Sequence, residues 1–505
     1  MPTLQKMPSI AAGPSRHVYD AIVLGGQLGG ALTGALLAKR GYRVLLIDHD
    51  GMGPGYEHGG YLLPYAPFIA PGLKAMPAVD EAFTELALTT PYSRALKTQS
   101  PELQLVLPRH RLDIPREPPR LEAELRREFG DAGKPIATAL DAAAAYHEQS
   151  DAFFKEPMDL PPDAFMENWR LGGWIKRNPG LSAPLPAAAG EGVGALLSKL
   201  QPFMSYLAGA EAPLAQGRPL AQALRAPGRI PGGREGLREL LVKRLVELGG
   251  VVLSRENGEG FVAEHLSFEG GKLVGVKLHQ SENVYRASCV VAATDAGAVR
   301  RLVEDKKRHR KLLEQLDLST TKSFLFSVNW VLDVDALPRG MGEQLLVGLE
   351  NEEELGGAML VQVHPARRAG KPDEEKLRVV CAGAFVPSSA RELGEAHLKG
   401  LAERLGNHLD ALMPFARRKV VLESAPYLDA GGVRGSRLLP HPLFGVDAEQ
   451  RLGVEGLKQR TAVKNLILAN REVLPGLGLE GEFLAGIRAA RLVQETLPKS
   501  NPLGR

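Results

Sequence analysis

The sequence predicts an α/β protein: a discontinuous Rossmann-type dinucleotide-binding domain with an α+β domain built from the intervening stretches. Three observations predict it. Residues 20–48 pass from an apolar strand through Gly25-Gly26-Gln27-Leu28-Gly29-Gly30 into an alanine-rich helix and a second apolar strand ending in Asp48. A second glycine turn, Pro231-Gly232-Gly233, leads into an amphipathic helix that Gly249-Gly250 ends. Near the C-terminus a strand over 465–470 feeds the glycine-rich turn 475–481 and then another helix.

In the first unit, Gly25 allows the tight turn and Gly30 lets the helix pack closely on the strand. The middle glycine of G-x-G-x-x-G, which admits a pyrophosphate to the helix N-terminus, is replaced by Gln27. Asp48 stands 23 residues after Gly25, the spacing of an acid that binds ribose hydroxyls. The following stretch, Gly51 to Gly60, is either a segment lying against a planar ligand or a surface loop. Leu121, Leu125 and Phe129 recur at helical spacing, and the helical character resumes after the Gly-Lys-Pro break at 133–135. Residues 160–230 are rich in proline and alanine.

Leu237, Leu240, Leu241, Leu245 and Leu248 form the stripe of the second-unit helix, before a strand at Val251–Leu253. Strands follow over 271–278 and 287–293. Residues 320–425 alternate strand-like runs with one helix near 391–413, an α+β pattern. Phe324, Phe326 and Trp330 alternate on one strand face, as core or as a cavity wall. The last helix is predicted over Phe483–Leu497, with Leu484, Ile487, Leu492 and Val493 on its apolar side.

The chain has 505 residues, 44% hydrophobic and 24% charged, enough for two or more domains with large cores. A net charge of +3 gives no argument for a nucleic-acid partner. The run Lys306 to Lys311 reads as a solvated helix face. Cys289 and Cys381 are the only cysteines, and Cys289 lies in an apolar run that predicts a buried, reduced thiol. No signal sequence opens the chain, so a cytoplasmic location is expected. Residues 1–16 read as a loose arm.

Ile230-Pro-Gly-Gly-Arg-Glu-Gly-Leu237, Val290-Val-Ala-Ala-Thr-Asp295, and Arg460 to Asn470 followed by Pro475-Gly-Leu-Gly-Leu-Glu-Gly481 resemble, in this order, the blocks of the phytoene desaturase and carotenoid isomerase group of FAD-dependent oxidoreductases. These belong to the amine-oxidase-like flavoproteins. The resemblance covers about a third of the chain and implies an FAD domain over 17–80, 225–300 and 455–505. The substrate or lid domain then takes 81–224 and 301–454. The implied FAD-binding residues are Gly25, Gly26, Gln27, Leu28, Gly29, Gly30, Asp48 and His49 at the first bend. Asn470, Gly478, Leu479 and Gly481 join them at the last. The family's Gly-Asp pair is Ala469-Asn470 here, and its arginine-bearing glycine motif is not evident around 51–60. The glycine and acid replacements together cost roughly 2–5 kcal/mol of flavin affinity, which weakens binding without abolishing it.

With FAD bound, the isoalloxazine ring does the redox chemistry, so no catalytic side chain or metal site is assigned. The last helix, starting near Gly481, would set its N-terminus against the flavin; Glu482 at that end reads as a helix cap. The implied substrate is apolar, isoprenoid- or lipid-like. Phe153-Phe154 to Trp174-Ile175, flanked by Lys176-Arg177, is either a membrane-facing lip or a helical cap over the substrate cavity. Three readings stand: an FAD-dependent oxidoreductase or redox-neutral isomerase; a flavin-free member of the fold that binds a lipid or protein, which Rab GDP-dissociation inhibitors resemble; and a nicotinamide-dependent dehydrogenase.

Overall fold

Apolar runs that show no alternation form strands covered on both faces, and here they make a parallel sheet. The computed structural model describes residues 18–498, apart from 100, 156–158, 184–191, 225–226, 255–261, 280, 282–283, 369 and 436–438. The arm expected over 1–16 lies outside the described residues. The parallel strands are β1 (Val18–Leu24), β2 (Val44–Asp48), β3 (Val251–Ser254), β4 (Val284–Ala292) and β5 (Leu466–Leu468). They lie in the order β3-β2-β1-β4-β5, with Leu24 opposite Ile47 and Ala292, and Ala292 opposite Leu468. Antiparallel strands Lys272–Leu278 and Ala263–Glu269 extend the sheet from the start of β4. Segments far apart in sequence thus place their strand ends, and the bends that follow, along one edge.

Helix α1 (Leu28–Lys39) follows β1, α2 (Gly233–Glu247) precedes β3, and α3 (Gly478–Thr496) follows β5. Every residue of α1 from Leu28 to Ala38 is buried, because α2 and α3 both pack on it. Its small residues permit that packing. A Cβ on Gly30 would lie 2.5 Å from the Ala293 Cβ, and one on Gly486 of α3 would lie 2.4 Å from the Gly29 carbonyl oxygen. The Thr33 hydroxyl spans the helix pair, 2.7 Å from the Gly29 carbonyl and 3.0 Å from that of Gly486.

The second sheet has eight strands, centred on the long pair Ser319–Asp333 and Asp373–Pro387. Among the described residues its strands pair antiparallel except Gln344–Gly348, which runs parallel to Leu103–Val106. Phe324, Phe326 and Trp330 are buried with Leu398, Leu401 and Leu405 of the helix Glu395–Leu412, so they are core.

Most elements fall where the periodicity predicts them, although the break expected at 133–135 lies at Gly130–Gly133, and Lys134 and Pro135 open the helix Lys134–Lys155. The last helix differs. It begins at Gly478, five residues before the predicted start, because a 3-10 turn at Pro475–Leu477 already reverses the chain. Gly481 therefore sits inside the helix, where a Cβ would lie 2.1 Å from the Leu474 carbonyl oxygen. The basic run is solvent-exposed except for His309, which stacks on Phe268, and its helix starts only at Arg310. Cys289 and Cys381 are buried free thiols, and burial pushes Cys289 up to about 12.

The contact between Gly30 and Ala293 leaves no space for a branched side chain. We expect Gly30→Val to lower stability by about 1–3 kcal/mol, measured by chemical denaturation, through overpacking of α1 against the strands.

A dinucleotide slot filled by ion pairs

The first and last glycine bends converge. A Cβ on Gly29 would lie 2.4 Å from the Ala469 carbonyl oxygen and 2.9 Å from that of Glu482. Gly25 takes φ +101°, and a Cβ there would lie 2.6 Å from the Thr294 amide. The predicted residues Gly25, Gly26, Gln27, Leu28, Gly29, Gly30 and Asp48 all line or underlie this junction. Each of them is buried.

The peptide N–H groups at the start of α1 face carboxylates of the chain itself. Gly26 donates to Asp50 at 2.8 Å and Gly29 to Glu482 at 3.3 Å. No acidic residue lies in the first turn of α1, so these two supply the negative charge its N-terminus favours. Glu482 is fully buried and also takes Arg234 Nη2 at 2.5 and 2.7 Å and the Tyr206 hydroxyl at 3.4 Å. It is not the helix cap the sequence predicts: it lies one turn inside α3 and caps α1 instead.

Asp48, the expected ribose acid, is engaged by Arg238 of α2 at 2.6 Å, and Arg238 also binds Glu235 and the Met52 carbonyl. Burial raises the Asp48 carboxyl above its ordinary value, against the pull of Arg238. Gln27 points its amide nitrogen to Asp295 at 3.3 Å, and Arg471 grips the same carboxylate at 3.2 and 3.0 Å. Burial alone would raise Asp295, but Arg471 outweighs it and holds the group down. Asn470 is used internally: its amide donates to the Thr294 carbonyl and to Glu472, each at 3.0 Å. His49 is half-buried, and its Nδ1 has no partner.

The front of α3 is covered as well. A Cβ on Gly478 would lie 1.9 Å from the Met204 carbonyl oxygen, and Tyr206 N and the Ser205 hydroxyl both donate to the Pro475 carbonyl. Gly478, Leu479 and Gly481 are all buried, Gly478 beneath this segment and Gly481 against Leu474 and Leu477. Glu480 is tied to Arg218 at 2.5 and 2.7 Å, both fully buried.

What remains of the slot is a cavity of about 10 Å³ among Gly26, Gln27, Asp50, Arg234, Arg238 and Arg471. That holds one water. Gln27 Oε1 and Asp50 Oδ2 are buried here without partners. The backbone therefore fits an extended dinucleotide, and the side chains as placed leave no room for one. Sequence reasoning missed Arg234, Arg238, Arg471 and Asp50, and read Glu482 as the cap of its own helix. Arg234 stands in the quoted second glycine motif and Arg471 directly follows Asn470, but nothing in their spacing shows that they converge.

The comparisons agree with this backbone. A profile of the NAD(P)-binding Rossmann-like domain matches residues 23–86. Comparison with curated proteins by sequence finds no match. An oxidoreductase from Methanosarcina mazei is 14% identical with a TM-score of 0.57, over 93% of this chain and 99% of its own. Cyclohexylamine oxidase from Brevibacterium oxydans is 14% identical with a TM-score of 0.52, over 95% and 100%. The fold is the one these two oxidoreductases share. Rab GDI from Plasmodium falciparum shares it too, at 10% identity and a TM-score of 0.52, over 96% and 98%. Among the described residues no His, Cys, Asp and Glu cluster suits a metal, and no helix is long and apolar enough to cross a membrane.

Glu472, beside Asn470, is buried and close to Asp295, and burial first and that neighbour second push its carboxyl up to about 8. A carboxyl raised from 4.5 gives its full contribution to stability below the unfolded value and loses it as pH rises through about 8. We expect Glu472→Gln to melt near wild type at about pH 5 and a few degrees above it at about pH 9. Thermal scans across that range check it.

Proposed function

We propose that the chain is an FAD-dependent oxidoreductase or redox-neutral isomerase acting on an apolar, isoprenoid- or lipid-like substrate. The observation that carries this reading is the convergence of the Gly25–Gly30 bend and the start of α3 at the carboxyl ends of the parallel strands. Bound FAD supplies the redox chemistry. Gly26 N and Gly29 N would hold its phosphates, with Arg234 and Arg238, now paired with Glu482 and Asp48, as the cations beside them. Breaking a buried pair costs about 3–5 kcal/mol when one charge stays unpaired, so the phosphates must re-pair the freed arginines.

The filled slot favours a second reading, in which the fold is kept as a flavin-free module that binds a lipid or a protein. The visible spectrum of purified protein separates the two. Flavin absorption, or its appearance with a rise in melting temperature after FAD is added, supports the oxidoreductase. A colourless protein whose melting temperature FAD does not move supports the binding module.

An apolar substrate suits contact with a membrane surface, although the lip expected at Phe153, Phe154 and Trp174 is not that contact. These rings are buried against one another, with Phe153 and Trp174 centroids 4.1 Å apart. Three exposed apolar residues cluster close by in the chain: Phe165 (81%), Met166 (58%) and Trp169 (68%) on the helix Phe165–Arg177, which also carries Arg170, Lys176 and Arg177. Aromatic rings with basic neighbours suit an anionic bilayer interface. We expect wild type to cosediment with phosphatidylserine-containing vesicles and Phe165→Ser/Trp169→Ser to lose most of that binding with an unchanged melting temperature. Equal sedimentation of both proteins would remove this surface.

A further inference from the structure

Two carboxylates occupy the places that an anionic dinucleotide needs. Asp50 accepts from Gly26 N and Glu482 from Gly29 N, two buried donors of the bend that opens α1. Glu482 is held by three donor groups through four contacts: Gly29 N, Arg234 Nη2 to both carboxylate oxygens, and the Tyr206 hydroxyl. A backbone amide, an arginine and a hydroxyl converging on one anion form the kind of donor set that binds a phosphate. Arg238 and Arg471, each turned to an internal acid, complete a ring of cations around a space that holds one water.

We propose that Glu482 and Asp50 are internal stand-ins for the dinucleotide phosphates, and that they set the affinity of the slot by competing for its donors. This rests on the FAD reading above and deepens it. The carboxylates complete the anion site of the empty chain, so the slot is stable when closed. A dinucleotide binds by exchanging its phosphates for the two side chains. Neutralising either carboxylate weakens the competitor, because a charged acceptor bonds more strongly than a neutral one. The effect depends on phosphate: a flavin without the pyrophosphate has nothing to exchange at these positions.

The test measures FAD and riboflavin binding by flavin fluorescence for wild type, Glu482→Gln, Asp50→Asn and the double variant, with circular dichroism as the folding control. Glu482→Gln leaves Arg234 buried beside a neutral amide and is at risk of misfolding. Asp50 is only half-buried, so Asp50→Asn keeps the test open. The expected result is weak FAD binding by wild type, about tenfold tighter binding for each folded single variant, and a larger gain for the double, with riboflavin unchanged. Equal FAD affinity in all four proteins would overturn the competition and leave the FAD reading standing. An equal gain for riboflavin would also overturn it, since the variants would then merely loosen the slot. Failure of every folded protein to bind FAD would overturn both.

Discussion

The N-terminus of α1 requires an anion. It emerges from β1 at a buried glycine bend, its first turn carries no acid, and Gly26 N and Gly29 N both donate to carboxylates from elsewhere in the chain. In a dinucleotide-binding fold a pyrophosphate meets that need. In this chain Asp50 and Glu482 meet it, and much else in the centre follows. Glu482 requires Arg234, and Arg471 with Gln27 serves Asp295. Arg238 neutralises the Asp48 carboxylate.

Gln27 fits this arrangement better than glycine would. Its amide nitrogen links the first bend to Asp295 at the end of β4, and through it to Arg471 beyond β5. The close backbone approach that the missing glycine would serve is unnecessary where side chains already fill the slot. Asn470 is similar: bound to Thr294 and Glu472, it ties the end of β5 to that of β4. Gln27 and Asn470 are thus parts of one internally bonded junction.

The fold was legible because its signals are local. Uninterrupted apolar runs mark the buried strands, leucine spacing marks α2, and glycine pairs mark the bends. Gly25 and Gly30 could be assigned because each meets a constraint from its immediate neighbours. The closed slot was not legible. Arg234 meets Glu482 across 248 positions and Arg238 meets Asp48 across 190, and a sequence read without its fold carries no sign of such pairings. Glu482 misled for the same reason: an acid near a helix start reads as that helix's own cap, while in space it serves α1. The exposed aromatic rings are Phe165 and Trp169 rather than Phe153 and Trp174, because periodicity does not tell which face of a short helix the core covers.

A crystal structure of the chain purified without added flavin tests the central claim most directly. The account predicts density for the Glu482 carboxylate on Gly29 N, with Arg234 against it and at most one water between Gln27 and Asp50. An open, water-filled channel along the first bend, with Glu482 turned away from Gly29, would contradict it.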